Sequence, residues 1–219
     1  MRNMEAINKK ENFMSASKEG FCQACHLLYE RRLVTGSGGN LSLRVGGKVY
    51  LTPTGCSLRD MSPDMVVTVD MDGQVLEGVK PTMEAGMHLG LLRERQDINV
   101  VCHVHGAYII AASSTLFPAP DTFPPLTPGF VYHAHPLPML PFMVPGTRVL
   151  AETVTRELSL PTRKALVLQN HGLVTLGKDL KEALNVAEEI DDVARICVFT
   201  KGKAKVISYE DIGKICPPD

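Results

Sequence analysis

The run NVVCHVHG at 99–106 constrains this chain more than any other segment. Valine-rich, short and closed by glycine, it reads as a strand over Val100–His105, in which successive side chains point to opposite faces of a sheet. His103 and His105 therefore present their imidazoles to one face, where two such rings can grip one cation. A catalytic site of this kind needs three or four protein donors and an open position, so a further donor has to come from elsewhere. His171 is the best candidate, because NHG at 170–172 lies in a tight connection between the apolar segments Ala165–Leu168 and Leu173–Thr175, where glycine admits close approach of backbone and ligand. Two partly buried histidines bonded to backbone are the competing reading of the pattern, and the pattern alone does not decide. A second such pair, His133 and His135, lies in a proline-rich stretch without a strand pattern, so a pocket or interface role is weighed above metal ligation there.

The rest of the chain narrows the class of partner. With 219 residues, 44% apolar and 21% charged, it fits one large globular unit. Its 23 basic and 24 acidic residues leave a formal charge of −1, which provides neither the cationic field of a nucleic-acid binder nor an acidic tail. No apolar run approaches the roughly 20 residues that span a bilayer, and the start lacks the apolar core of a signal peptide. The expectation is a cytoplasmic protein that acts on small molecules and does not bind nucleic acid or membrane. Six scattered cysteines agree with a reducing compartment. Cys22 and Cys25 form a CxxC pair, but they sit at helical spacing with Phe21, Leu28 and Tyr29, which favours core packing over a zinc or redox site.

Residues 1–14 are polar and aperiodic and read as a loose leader, with a single domain over 15–219. A helix is expected over Ser17–Leu33, capped by Ser15 or Ser17, followed by a glycine-rich hairpin and two strands near Val66–Val69 and Gln74–Leu76. PTMEAGMHLGLLRERQ, with Pro81 at its first turn, predicts a helix of about four turns. Helices are also expected over Tyr108–Ser114, Val149–Leu158 and Leu180–Thr200, while the prolines of 116–146 favour a broken, extended path. Mixed elements without regular βαβ alternation imply a layered α/β domain with a largely antiparallel sheet.

Glu84 falls in the expected first turn after Pro81, where the helix dipole stabilises an anion, although acidic residues are common there for helix stability alone. SGGNLS at 37–42 could hold a phosphate or carboxylate, and is weak evidence by itself. The combination is more specific: GSGGNLSLR at 36–44, LTPTG at 51–55, KPTME at 80–84, MH at 87–88, CHVHG at 102–106 and QNHGLV at 169–174 occur in this order. Together they resemble the class II aldolase and adducin head-domain superfamily, over about residues 17–200.

That resemblance implies a three-layer α/β/α sandwich around a mostly antiparallel sheet, assembled as a homotetramer with active sites between subunits. It also implies a divalent metal, zinc most often, with manganese, cobalt or iron as alternatives. His103, His105 and His171 match the metal ligands, and Glu84 matches the catalytic acid/base. Asn40, Thr54, Gly55 and Thr82 match positions that hold the substrate phosphate. The implied activity is aldol cleavage of a ketose phosphate through a metal-stabilised enolate. Decarboxylation of a sugar-derived oxo-acid phosphate is the runner-up. The 4-epimerase branch ranks third, since it tends to have aspartate at the Glu84 position. Adducin-like members lack catalysis, whereas the full set of three histidines and a carboxylate is present here.

Two departures bear on the substrate. Met83 stands where the sugar-phosphate aldolases commonly have a second phosphate-binding serine, a donor that methionine cannot replace. PPLTPGFVYHAH does not reproduce the tyrosine-bearing segment of fuculose-phosphate aldolase, and Tyr132 is near but unaligned. This stretch looks more like the oxo-tetronate phosphate decarboxylase branch, yet that branch tends to lack the Glu84 equivalent and the third histidine.

Overall fold

A computed structural model describes residues 15–116 and 118–216, so the expected leader at 1–14 lies outside the described residues. One sheet of eight strands organises the chain: β1 (Asn40–Val45), β2 (Lys48–Leu51), β3 (Val67–Asp70), β4 (Val75–Glu77), β5 (Val100–Val104), β6 (Met139–Leu140), β7 (Ala165–Leu168) and β8 (Gly172–Gly177). Their spatial order is β4-β3-β2-β1-β5-β8-β7-β6. Every pairing is antiparallel except that of β6 with β7. The two strands that face each other across the centre, β5 and β8, carry the buried runs VVCHV and GLVTLG.

Alternation along the strands creates two cores. Val100, Cys102 and Val104 of β5 join Leu41 and Leu43 of β1 in one apolar cluster. Helices α1 (Lys18–Glu30), α3 (Ala107–Ser113), α4 (Pro128–His133) and α6 (Leu180–Thr200) cover that face. Val101 points the other way and packs with Val49, Leu166 and Val174 beneath α2 (Ala85–Glu94) and α5 (Arg148–Glu157). The result is the expected three-layer α/β sandwich. A short α7 (Tyr209–Ile215) ends the described chain.

Local chemistry explains the element ends. Ser17 Oγ accepts the Gly20 amide and starts α1, which ends at Glu30, earlier than the expected Leu33. Arg32 there adopts a left-handed turn (φ 61°) that breaks the helical path. Cys22 and Cys25 are buried in the α1 core, as their spacing predicts, and desolvation pushes the Cys22 thiol up to about 11. Thr127 caps α4 with Pro128 at its first position, a helical turn that the expected extended path across the proline-rich stretch does not contain. Asp179 caps α6, which runs over the expected residues and stops at Lys201 in the left-handed conformation.

The helix expected after Pro81 is shorter than the sequence pattern suggests. Pro81 bridges Pro53 instead, the Thr82 amide bonds Thr52 O at 3.0 Å, and α2 covers only ten residues. Glu84 is therefore the residue before the helix rather than part of its first turn, and its side chain makes no cap bond. Its carbonyl accepts the Met87 and His88 amides, which leaves the carboxylate free to turn toward the sheet.

Candidate metal centre

His103 lies on the face of β5 that packs toward α2, and Asn40 of β1 is its partner in the strand register. His105 follows the strand by one residue, its amide held by Leu33 O at 2.9 Å. His171 arrives from the β7–β8 connection, where Asn170 takes a left-handed conformation (φ 57°) and the His171 amide bonds Leu168 O. Glu84 reaches in from the start of α2. The four residues bring one ligand atom each to within 4.8 Å of one another. His103 Nε2 is 2.8 Å from His105 Nε2, 3.3 Å from His171 Nε2 and 3.2 Å from Glu84 Oε2.

Glycines make this convergence possible. A Cβ on Gly38 would stand 2.7 Å from His105 Nδ1. One on Gly172 would stand 2.2 Å from Val104 O and 3.0 Å from the His105 ring. The close approach expected at NHG is thus present, with Gly38 as a second contact that the sequence pattern did not single out.

The electrostatics fit a cation. His103 Nδ1 donates to Leu173 O at 3.0 Å, so its Nε2 carries a bare lone pair. Desolvation, reinforced by the neighbouring histidines, lowers His103 and His105 to about 3. Desolvation also lowers His171, against the opposing effect of Glu84. All three rings are therefore neutral near pH 7 and available as ligands. A bare imidazole nitrogen facing a carboxylate oxygen at 3.2 Å is a contact between two acceptors, unfavourable in a buried site unless positive charge lies between them. Zinc bonds of about 2.0–2.1 Å set tetrahedral donors roughly 3.3 Å apart, within the spread of the separations here. Glu84 Oε1 is buried without a hydrogen-bond partner and lies 3.8 Å from His171 Nε2.

The remaining sequence candidates divide. Asn40 and Thr82 are buried beside Glu84: the Asn40 amide donates to Glu84 Oε2 at 2.8 Å, and Thr82 Oγ1 accepts the Glu84 amide at 3.3 Å. Thr54 and Gly55 are exposed and line a cavity of about 520 Å³ with Asp60 and Asp64. His133 and His135 stay out of the cluster; His135 Nε2 lies 3.1 Å from Asp121 Oδ2, and His133 meets Tyr132 edge to face. A groove of about 770 Å³ between α2 and α5 reaches Glu84 and is lined by Met83, Arg93, Arg148 and Arg156.

A sheet flanked by helices on both faces, with three histidines and a carboxylate gathered at the end of its central strand, defines a class of protein. The chain belongs to the family described as Class II Aldolase and Adducin N-terminal domain, which it matches over residues 19–198. It is 37% identical to L-fuculose phosphate aldolase of Methanococcus maripaludis, over 80% of this chain and 93% of that protein. It is 34% identical to 3-oxo-tetronate 4-phosphate decarboxylase of Haemophilus influenzae, over 86% of this chain and 90% of that protein. Among solved structures, YgbL of Klebsiella pneumoniae aligns with a TM-score of 0.83 at 30% identity, over 90% of this chain and 96% of that one.

Proposed function

We propose that the chain is a metal-dependent class II aldolase, an aldehyde-lyase that cleaves a ketose phosphate or a similar hydroxylated substrate. The observation that carries this reading is the convergence of three neutral imidazoles and Glu84 on one buried point, with Glu84 Oε1 left unpartnered. His103, His105 and His171 would hold a divalent cation, for which zinc suits the donor set best and manganese, cobalt or iron are substitutes. Such a cation, when bound, supplies a Lewis acid for negative charge developing beside a carbonyl. Glu84 Oε1 would take the proton from the substrate hydroxyl as the carbon–carbon bond breaks, and return it to the carbon that carries the electron pair. Glu84, His103 and His171 are buried and His105 is half-buried, which limits the water that would otherwise screen them.

Asn40, Thr82, Thr54 and Gly55 are the proposed binding set for the substrate's anionic end. The residues lining the Thr54 cavity include two acids and no lysine or arginine, so a phosphate there would rest on hydroxyls and backbone N–H groups. Met83, 72% exposed, contributes no donor to it.

A second reading, decarboxylation of a sugar-derived oxo-acid phosphate, is supported by the decarboxylase relative, whose match extends over 191 residues against 176 for the aldolase. Release of aldehyde from ketose phosphates against release of carbon dioxide from oxo-acid phosphates, assayed with added zinc or manganese, separates the two. Glu84→Gln should retain metal and lose turnover by about a hundredfold or more, within the usual range for a general acid/base. Turnover of Glu84→Gln close to the parent would reject the acid/base role.

We further propose a homotetramer with active sites between subunits, in the cytoplasm. Met83, Phe142, Val144 and Val149 are exposed apolar side chains, the first of them on the groove that reaches Glu84, and a partner subunit would cover them. No helix among the described residues is long and apolar enough to cross a membrane.

A further inference from the structure

His88 of α2 stands four residues after Glu84, and both side chains reach Asn40 of β1. It is fully buried, and no metal-ligating role falls to it. Its Nε2 bonds Asn40 Oδ1, and its Nδ1 lies 2.8 Å from Ser42 Oγ. Asn40 and Ser42 are alternate residues of β1 and present their side chains on one face. From Asn40 the chain of bonds continues through Nδ2 to Glu84 Oε2.

The polarity of this chain follows from its charged end. A carboxylate only accepts, so Asn40 must turn its NH₂ toward Glu84 and its carbonyl toward His88. That carbonyl needs a donor, which makes His88 the Nε2–H tautomer, and its bare Nδ1 then accepts the Ser42 hydroxyl, for which Val101 O at 3.5 Å is the more distant acceptor. Desolvation lowers His88 to about 3, which keeps the ring neutral with one donor and one acceptor, as the chain requires. Reversing the Asn40 amide would set its oxygen against Glu84 Oε2 at one end and its NH₂ against the His88 Nε2–H at the other. Water has little room to repair that, since His88 is fully buried and Asn40 is 6% exposed.

We propose that His88 is a positioning residue which, through Asn40, pins Glu84 Oε2 and so selects Oε1 as the oxygen that exchanges the proton. This rests on the aldolase or decarboxylase reading of the site. It also gives Asn40 a task besides anion binding: its carbonyl and one N–H are engaged internally, its backbone pairs with His103 of β5, and the second N–H remains for a ligand.

Zinc-loaded wild type, His88→Leu and His88→Gln test this. Leucine removes the donor to Asn40, while the glutamine amide can donate in its place. Outer partners of this kind typically cost 10–100-fold when lost. His88→Leu should lose about that factor in kcat with zinc content and KM near the parent, and His88→Gln should recover most of the loss. Unchanged kcat in His88→Leu, or no recovery in His88→Gln, overturns the proposal. The histidine ¹H–¹⁵N spectrum of the wild type provides a reading independent of substrate and of variant folding. The proposal expects His88 as the Nε2–H tautomer, and an Nδ1–H tautomer overturns it. Absence of lyase turnover in the wild type would count against the proposed function alone, because the spectrum still decides the bonding.

Discussion

The His105 ring is placed by neighbours with no spare room. Gly38 is one such neighbour, since a methyl there would stand 2.7 Å from His105 Nδ1, the ring nitrogen opposite the Nε2 that faces the cluster. Gly38→Ala should leave the fold intact, because the ring can swing aside, and weaken zinc binding by about tenfold or more through the displaced ligand. Competition with a chelator of known affinity measures this, and parent-like affinity would show that His105 is not held as described. Much of the site was legible at this scale. Alternation along VVCHVH gives His103 and His105 a common face once the segment is a strand, and NHG marks a close approach. His88 carried an equally simple signal, its spacing of one helical turn from Glu84, but a lone histidine on an apolar helix face reads as core packing until Asn40 and Ser42 are brought against it. The positions of Thr54 and Gly55 relative to the imidazoles depend on how Pro53 and Pro81 bridge, and nothing local encodes that.

Elements held by their own sequence were readable, and those held by distant partners were not. The long amphipathic α6 has its cap and periodicity within one segment. By contrast, β6 is two residues long and exists because Val167 and Gln169 donate to Pro138 and Leu140. The end of α5 is similar. Arg95, 3% exposed, donates to the carbonyls of Leu158, Leu160, Pro161 and Arg163 beyond that helix, and its other donors grip Asp97 at 2.8 Å. Sequence patterns show an arginine at the end of α2, but not the carbonyl cage it fills. Arg95→Met keeps the alkyl stem and strips the donors, leaving carbonyls unpaired at about 1–3 kcal/mol each before relaxation. A net loss of roughly 2–4 kcal/mol in urea unfolding is expected. A loss below about 0.5 kcal/mol, the range of ordinary surface changes, would mean that the loop holds itself.

The sandwich as a whole brings segments 103–105, 171 and 84 together at one end of the central strands, with two apolar cores beneath. Its layers followed from the mixed pattern of elements, while strand order did not, because β5 pairs with β1 and β8 across long stretches of chain. The exposed apolar side chains around the groove lead to an expectation for the assembly. Val149→Asp on the outer face of α5, a residue 62% exposed, should convert a tetramer by sedimentation into smaller species without unfolding it. A parent-like sedimentation profile would place the interface elsewhere. X-ray absorption at the zinc edge tests the centre most directly, on the protein loaded with one equivalent of zinc, beside His171→Ala. A single zinc surrounded by three imidazole nitrogens and light oxygen donors at about 2.0–2.1 Å is expected, falling to two imidazoles in His171→Ala. Sulfur in the coordination shell, or an unaltered imidazole count in the variant, would contradict it.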